Sequence, residues 1–125
     1  MTDLAITQVA TVVVPVTDQD RALGFYEGTL GFGKRLDGDL GGGRRWIEVA
    51  PAGSACGIAL VAGSGAAPLT ADTAPRLATA DAAADHAALR AAGADVDEEI
   101  MRWPGVPPMF TVRDPDGNVL VLVER

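Results

Sequence analysis

The sequence predicts an α+β fold built from two βαβββ modules, and three observations carry that prediction. The strand-like run ending at Ala50 is followed by Pro51 and Gly53. These stand 64 positions before Pro115 and Gly117, which follow a second strand-like run. Thr17-Asp18 and Ala80-Asp81, each placed just before a helical pattern, lie 63 positions apart. Finally, strand and helix signals come in the same order in both halves. Two independent landmarks with one period indicate a repeated supersecondary unit.

Residues 1–6 read as a tail. Residues 9–16 are β-branched and nearly continuous, as a strand requires. Asp18 then suits a helix N-cap, although Arg21 stands where a capping box would place Glu. Ala22, Phe25, Tyr26 and Leu30 fall on one helical face, and Gly31 stops the helix. Residues 33–37 read as a strand, 38–43 as a hairpin connection, and 44–50 and 56–62 as two more strands. Residues 63–74, rich in Gly, Ala, Pro and Ser, have no periodicity and read as a linker. The order then repeats. A short strand at 76–80 precedes a helix from Asp81 to Ala92, stopped by Gly93. A strand at 94–101 follows, then a loop at 102–108, and two strands flank the turn Asp114-Pro-Asp-Gly117. The expected organisation is a first module at 1–62, a linker at 63–74 and a second module at 75–125. Each helix buries one face on its half-sheet, so the opposite sheet faces remain to line something.

Composition excludes several functions. Apolar residues make up 48% of the 125 and charged residues 22%, ordinary for a globular chain. A chain of this length buries roughly two thirds of its unfolded surface. The net charge of −7 argues against nucleic acid as a partner, because that affinity comes from Lys and Arg displacing counterions. Cys56 is the single cysteine, so no intrachain disulfide forms, and a reducing interior suits it. No charged-then-apolar leader and no apolar run of spanning length are present. The expectation is a cytoplasmic protein without a membrane partner.

Val16-Thr-Asp18, Arg21-Ala22, Phe25-Tyr26, Leu30-Gly-Phe32 and Asp114-Pro-Asp-Gly-Asn118 with Glu124 follow one another at a telling spacing. In this the chain resembles the vicinal-oxygen-chelate superfamily of glyoxalase I, extradiol dioxygenases, fosfomycin-modifying enzymes and bleomycin-resistance proteins. The resemblance implies paired βαβββ modules forming a half-open barrel around a cavity, usually in a homodimer. In enzymes of that group, His, Glu or Gln from the first and last strand of each module hold a divalent metal. Those positions fall here on Thr11, Pro75, Val121, and either Gly57 or Ala59. None offers an imidazole or carboxylate, and a lone threonine does not hold a catalytic metal. Neither metal nor cofactor is therefore expected.

Several side chains are candidates for a ligand site. Along residues 45–50, Ile47 and Val49 alternate with Trp46 and Glu48. If the first pair faces the helix, the second faces the cavity. There Glu48 is either a general acid or base beside an indole, or a charged rim residue paired with an arginine. Trp103 lies in a run containing three prolines. It reads as a rigid platform for a flat ligand, or as a residue closing the barrel end or a dimer contact. Met109 and Phe110 follow, and strand alternation turns one of them inward. Thr11 and Val121 would line the wall where the metal ligands of relatives stand. His86 reads as a packed or solvated helix residue and Cys56 as a small buried strand residue. Gly41 to Gly43 do not lead from strand to helix, which excludes a phosphate loop. Asp114 and Asp116 read as turn-formers, too few for calcium. The first expectation is a metal-independent binder of an aromatic or apolar small molecule, for sequestration of an antibiotic or metabolite. The alternative is a lyase or isomerase of the glyoxalase/dioxygenase type.

Overall fold

The computed structural model describes residues 3–125. Of the expected tail, residues 3–6 carry no regular structure, and 1 and 2 lie outside the described residues. The order is β1 (Thr11–Val16), α1 (Gln19–Leu23), a π-helical stretch (Gly24–Thr29), β2 (Gly33–Gly41), β3 (Arg44–Ala50) and β4 (Gly57–Ala62). Then come β5 (Arg76–Thr79), α2 (Ala82–Ala91), β6 (Asp95–Val96), β7 (Met101–Trp103), β8 (Val106–Arg113) and β9 (Val119–Glu124). Sheet A has the order β1-β4-β3-β2 and sheet B the order β5-β9-β8-β6, with β7 paired to β8. In each sheet the first strand runs parallel to the last, β1 to β4 and β5 to β9. No pairing among the described residues joins the two sheets, so the barrel stays open.

The expected caps are present at equivalent places. Asp18 accepts a hydrogen bond from the Arg21 amide at 3.1 Å, and Asp81 accepts one from the Ala84 amide at 3.0 Å. Each satisfies a first-turn N–H that has no intrahelical partner. The first helix does not stay α-helical. From Gly24 it widens, and the Leu30 amide reaches back five residues to the Phe25 carbonyl at 2.9 Å.

Strand alternation builds the main core. Val14, Val16, Ile47, Val49, Ile58 and Leu60 of sheet A meet Phe110, Val112, Leu120 and Leu122 of sheet B, with Ala22, Tyr26 and Leu89 from the helices. Both sheets thus spend their helix-side faces on a shared core, and the alternate residues point away from it.

The turn after β8 clamps the halves together. The buried Asp114 carboxylate accepts from the Tyr26 hydroxyl, from Asn118 Nδ2 and from the amides of Asp116 and Asn118, each at 2.9 Å. Asn118, fully buried, also donates to the Pro15 carbonyl at 2.7 Å and accepts from the Leu69 amide at 2.8 Å. Asp116 Oδ1 accepts from the Thr17 hydroxyl at 2.6 Å and the Thr17 amide at 3.1 Å. The residues expected to form only a turn therefore tie β1 and α1 to sheet B. Asp116 Oδ2 is the one buried side-chain polar atom among the described residues without a partner.

Three expectations need correction. The strand expected at 94–101 pairs at Asp95–Val96 and again only at Met101, which opens β7. Asp97 then turns its carboxylate onto β8, accepting from the Thr111 amide at 2.9 Å, the Thr111 hydroxyl at 2.8 Å and Arg113 at 2.9 Å. A short polar side chain has taken over the ladder's role, and the strand breaks. Residues 102–108 are not a loop but part of the β7–β8 hairpin, with a register shift between Met101 and Trp103. Pro107 and Pro108 sit beside that irregularity, where a missing N–H costs no ladder bond. Lastly, β2 continues to Gly41, so the connection to β3 narrows to Gly42 and Gly43. Both have positive φ, as a tight hairpin turn needs.

Candidate functional site

The helix-free face of sheet A is set by its register. Val13 pairs with Ala59, Ala59 with Glu48, and Glu48 with Leu36, so these four form one row. Trp46 lies on the same face opposite Gly38, and Thr11 opposite Gly57. Val13, Leu36 and Leu40 are all exposed large apolar side chains. The alternation expected on β3 therefore holds. Ile47 and Val49 are fully buried against the helix, while Trp46 and Glu48 are half-buried on the other side.

Trp46 and Glu48 are joined. The indole Nε1–H donates to Glu48 Oε2 at 2.7 Å. The two side chains fix each other's rotamers, a benefit for a recognition surface because less entropy is lost on binding. The neighbouring Arg45 points to the helix side, onto Asp20 and Asp37, each at 2.8 Å.

The other candidates lie on sheet B or leave the site. Met109 pairs with Val123 and Met101, and Val121 with Arg76 and Thr111, on the helix-free face of that sheet. Val121 is covered there by Ala74, Val123 and Met109, leaving it 4% exposed. Trp103 stands on the β7–β8 hairpin, 58% exposed. Phe110 is a correction. It alternates with Met109, so it faces the core, fully buried, with its ring edge-on to His86 at 5.1 Å. His86 Nε2 lies 2.6 Å from the Asp97 carbonyl and is a packing residue. Cys56 is half-buried and precedes β4 rather than lying within it. Val13, Leu36 and Met101 belong to the helix-free faces and were missed, although alternation from Val14 pointed to the first.

The model of the Glyoxalase/Bleomycin resistance protein/Dioxygenase superfamily matches residues 8–122. The chain belongs to that superfamily. Three crystal structures of the superfamily's fold are close to it. TnmS3, described as an antibiotic binding protein from Streptomyces sp. CB03234, is 33% identical over 97% of this chain and 98% of its own, with a TM-score of 0.80. A superfamily member from Sphaerobacter thermophilus DSM 20745 is 32% identical over 98% of this chain and 100% of its own, with a TM-score of 0.88. A glyoxalase/bleomycin resistance protein from the same Streptomyces strain is 35% identical over 93% and 99%, with a TM-score of 0.75. No curated protein matches the sequence at a significant level.

The superfamily's metal can be tested against these residues. Thr11 and Gly57 are direct partners across the parallel ladder, and the Val121 amide donates to the Pro75 carbonyl at 3.1 Å. The four positions thus form two neighbouring pairs, as a ligand set would require. Their chemistry does not fit. Only Thr11 carries a side-chain oxygen, and no three His, Cys, Asp or Glu converge anywhere among the described residues. No helix of the described residues is long and apolar enough to cross a membrane.

Proposed function

We propose that the protein binds an aromatic or apolar small molecule without a metal and sequesters it, an antibiotic being the leading candidate. The observation that carries this reading is the helix-free face of sheet A. It sets a rigid Trp46–Glu48 pair among Val13, Leu36 and Thr11, and the superfamily's metal positions hold no imidazole or carboxylate. The likeness to an antibiotic binding protein at 33% identity supports it. Recognition of this kind needs a shaped apolar wall and a few placed polar groups, with no chemical step. Trp46 supplies a flat contact and Glu48 an acceptor for a cationic or hydroxyl group, with Met109 of sheet B and Trp103 of the β7–β8 hairpin adding apolar contact. A homodimer in the cytoplasm would bring two such faces together, and the net charge of −7 disfavours nucleic acid as a partner.

A thermal-shift screen of aromatic antibiotics tests the reading. A ligand at about 100 times its Kd stabilises by about 2.7 kcal/mol. The hit should quench Trp fluorescence and keep its affinity in excess chelator. Trp46→Phe and Glu48→Gln should each weaken it roughly tenfold or more, the first by losing the indole N–H and contact area, the second the charge. A stoichiometric divalent ion that is needed for binding would defeat the proposal. Turnover of the bound compound, lost in Glu48→Gln at unchanged affinity, would make Glu48 catalytic instead.

A further inference from the structure

A cleft lies on the opposite side of β5 from the helix-free face. It has a volume of about 360 Å³, within the range of small-ligand pockets. Leu30 and Phe32 at the end of the first helical segment form one wall, and Leu77 of β5 and Leu89 of α2 form the other. Three polar side chains line this largely apolar space, Thr29, Thr79 and Asp85. The Thr79 hydroxyl donates to Asp85 Oδ2 and so orients the carboxylate. Its other oxygen makes no hydrogen bond to the protein, and no Arg, Lys or His among the described residues pairs with Asp85. Asp85 is half-buried, so water reaches it only in part. An oriented carboxylate with no counter-ion, set among leucines and a phenylalanine, complements a cation that carries its own apolar body.

We infer that this cleft is a second ligand site, selective for a small primary ammonium compound with an aryl or alkyl body. The ammonium group donates to the free Asp85 oxygen, and the body displaces water from Leu30, Phe32, Leu77 and Leu89. The site goes beyond the ligand face of sheet A and shares no residue with it. A neutral isostere keeps the apolar contact and can still donate its hydroxyl to the carboxylate, but it lacks the opposite charge and so loses the ion pair. Discrimination between the two is therefore the signature.

The test is an amide NMR titration of the intact protein with 2-phenylethylammonium and, separately, with 2-phenylethanol. The expected result is saturable shifts of the Leu77–Ala80, Asp85–Leu89 and Leu30–Phe32 amides with the ammonium probe, and roughly tenfold weaker binding of the alcohol. Asp85→Asn should weaken the ammonium probe roughly tenfold and the alcohol far less, because the Asn carbonyl still accepts from its hydroxyl. Asp72→Asn, an exposed acid elsewhere, should alter neither, which separates the site from a general effect of the −7 charge. Ala88→Leu, at an exposed helix position lining the cleft, should fill it and abolish binding of both probes in a folded protein. Equal affinity for the two probes, shifts centred on Trp46 and Glu48, or no saturation in the millimolar range would overturn the inference.

Discussion

Tyr26→Phe isolates one hydrogen bond of the clamp between the halves. The ring stays, fully buried, so packing is preserved and only the hydroxyl is lost. That hydroxyl donates to Asp114 Oδ2 at 2.9 Å, and Asp114 is 5% exposed. A hydrogen bond to a charged acceptor contributes about 1.5–3 kcal/mol, and Oδ2 keeps Asn118 Nδ2 as a second donor. The expected loss is therefore about 2 kcal/mol, or about 8 °C in Tm for a chain of this length. Urea denaturation at pH 7 measures it. The same residue also sets the alkaline limb. Burial first, then the neighbouring Asp114 charge, pushes the Tyr26 hydroxyl far above its usual range. In the unfolded chain it ionises near pH ~10, while the folded protein holds the proton. The stabilisation is complete below that pH and declines above it, by up to about 1.4 kcal/mol per pH unit. Tyr26 is the single tyrosine, so the difference between the two proteins' alkaline slopes belongs to it alone. A Tyr26→Phe protein within about 0.5 kcal/mol of the parent at pH 7, or one with the same alkaline slope, would refute the reasoning.

Phe110→Ala should cost about 3–5 kcal/mol of stability, because the ring is fully buried, and any ligand's affinity should follow only through the folded fraction. Asn118→Ala should cost about 3 kcal/mol in denaturant unfolding, since it leaves the Pro15 carbonyl and the Leu69 amide without partners. Asp37 is held down to about 2 by hydrogen bonds from Arg45 first and Lys34 second. Its small contribution is present above pH ~4 and lost as pH falls towards 2. A carboxyl ¹³C titration should show that midpoint. Arg45→Ala should raise it further than Lys34→Ala does.

The fold was legible because its signals are periodic. Alternation on β3 placed Trp46 and Glu48 correctly, and Asp18 and Asp81 announced both helices through a single local bond each. What failed depends on contacts distant in sequence. Phe110 and Met109 are both apolar, and only the register of β8 against β9 decides which of them faces the helix. Asp97 looked like part of a strand, and nothing local says that its carboxylate will occupy the Thr111 amide fourteen residues away. Asp114 showed its turn chemistry plainly. Its bond to Tyr26, 88 residues earlier, had no sequence signal.

The helix-free faces also explain how the superfamily's metal positions can change while the fold persists. Thr11 and Gly57 lie on the face of sheet A that takes no part in the core, whereas their chain neighbours Val14 and Ile58 hold it. Replacing a ligand there removes no buried apolar area. Gly57 shows that the backbone does not dictate the residue. Its φ is not positive, and a Cβ would meet the Val49 carbonyl at 3.4 Å and Thr11 Cγ2 at 3.8 Å, ordinary contacts. A Cβ would fit, so the strand itself does not require glycine. Its effect is to leave the space beside Thr11 empty, one row from Glu48.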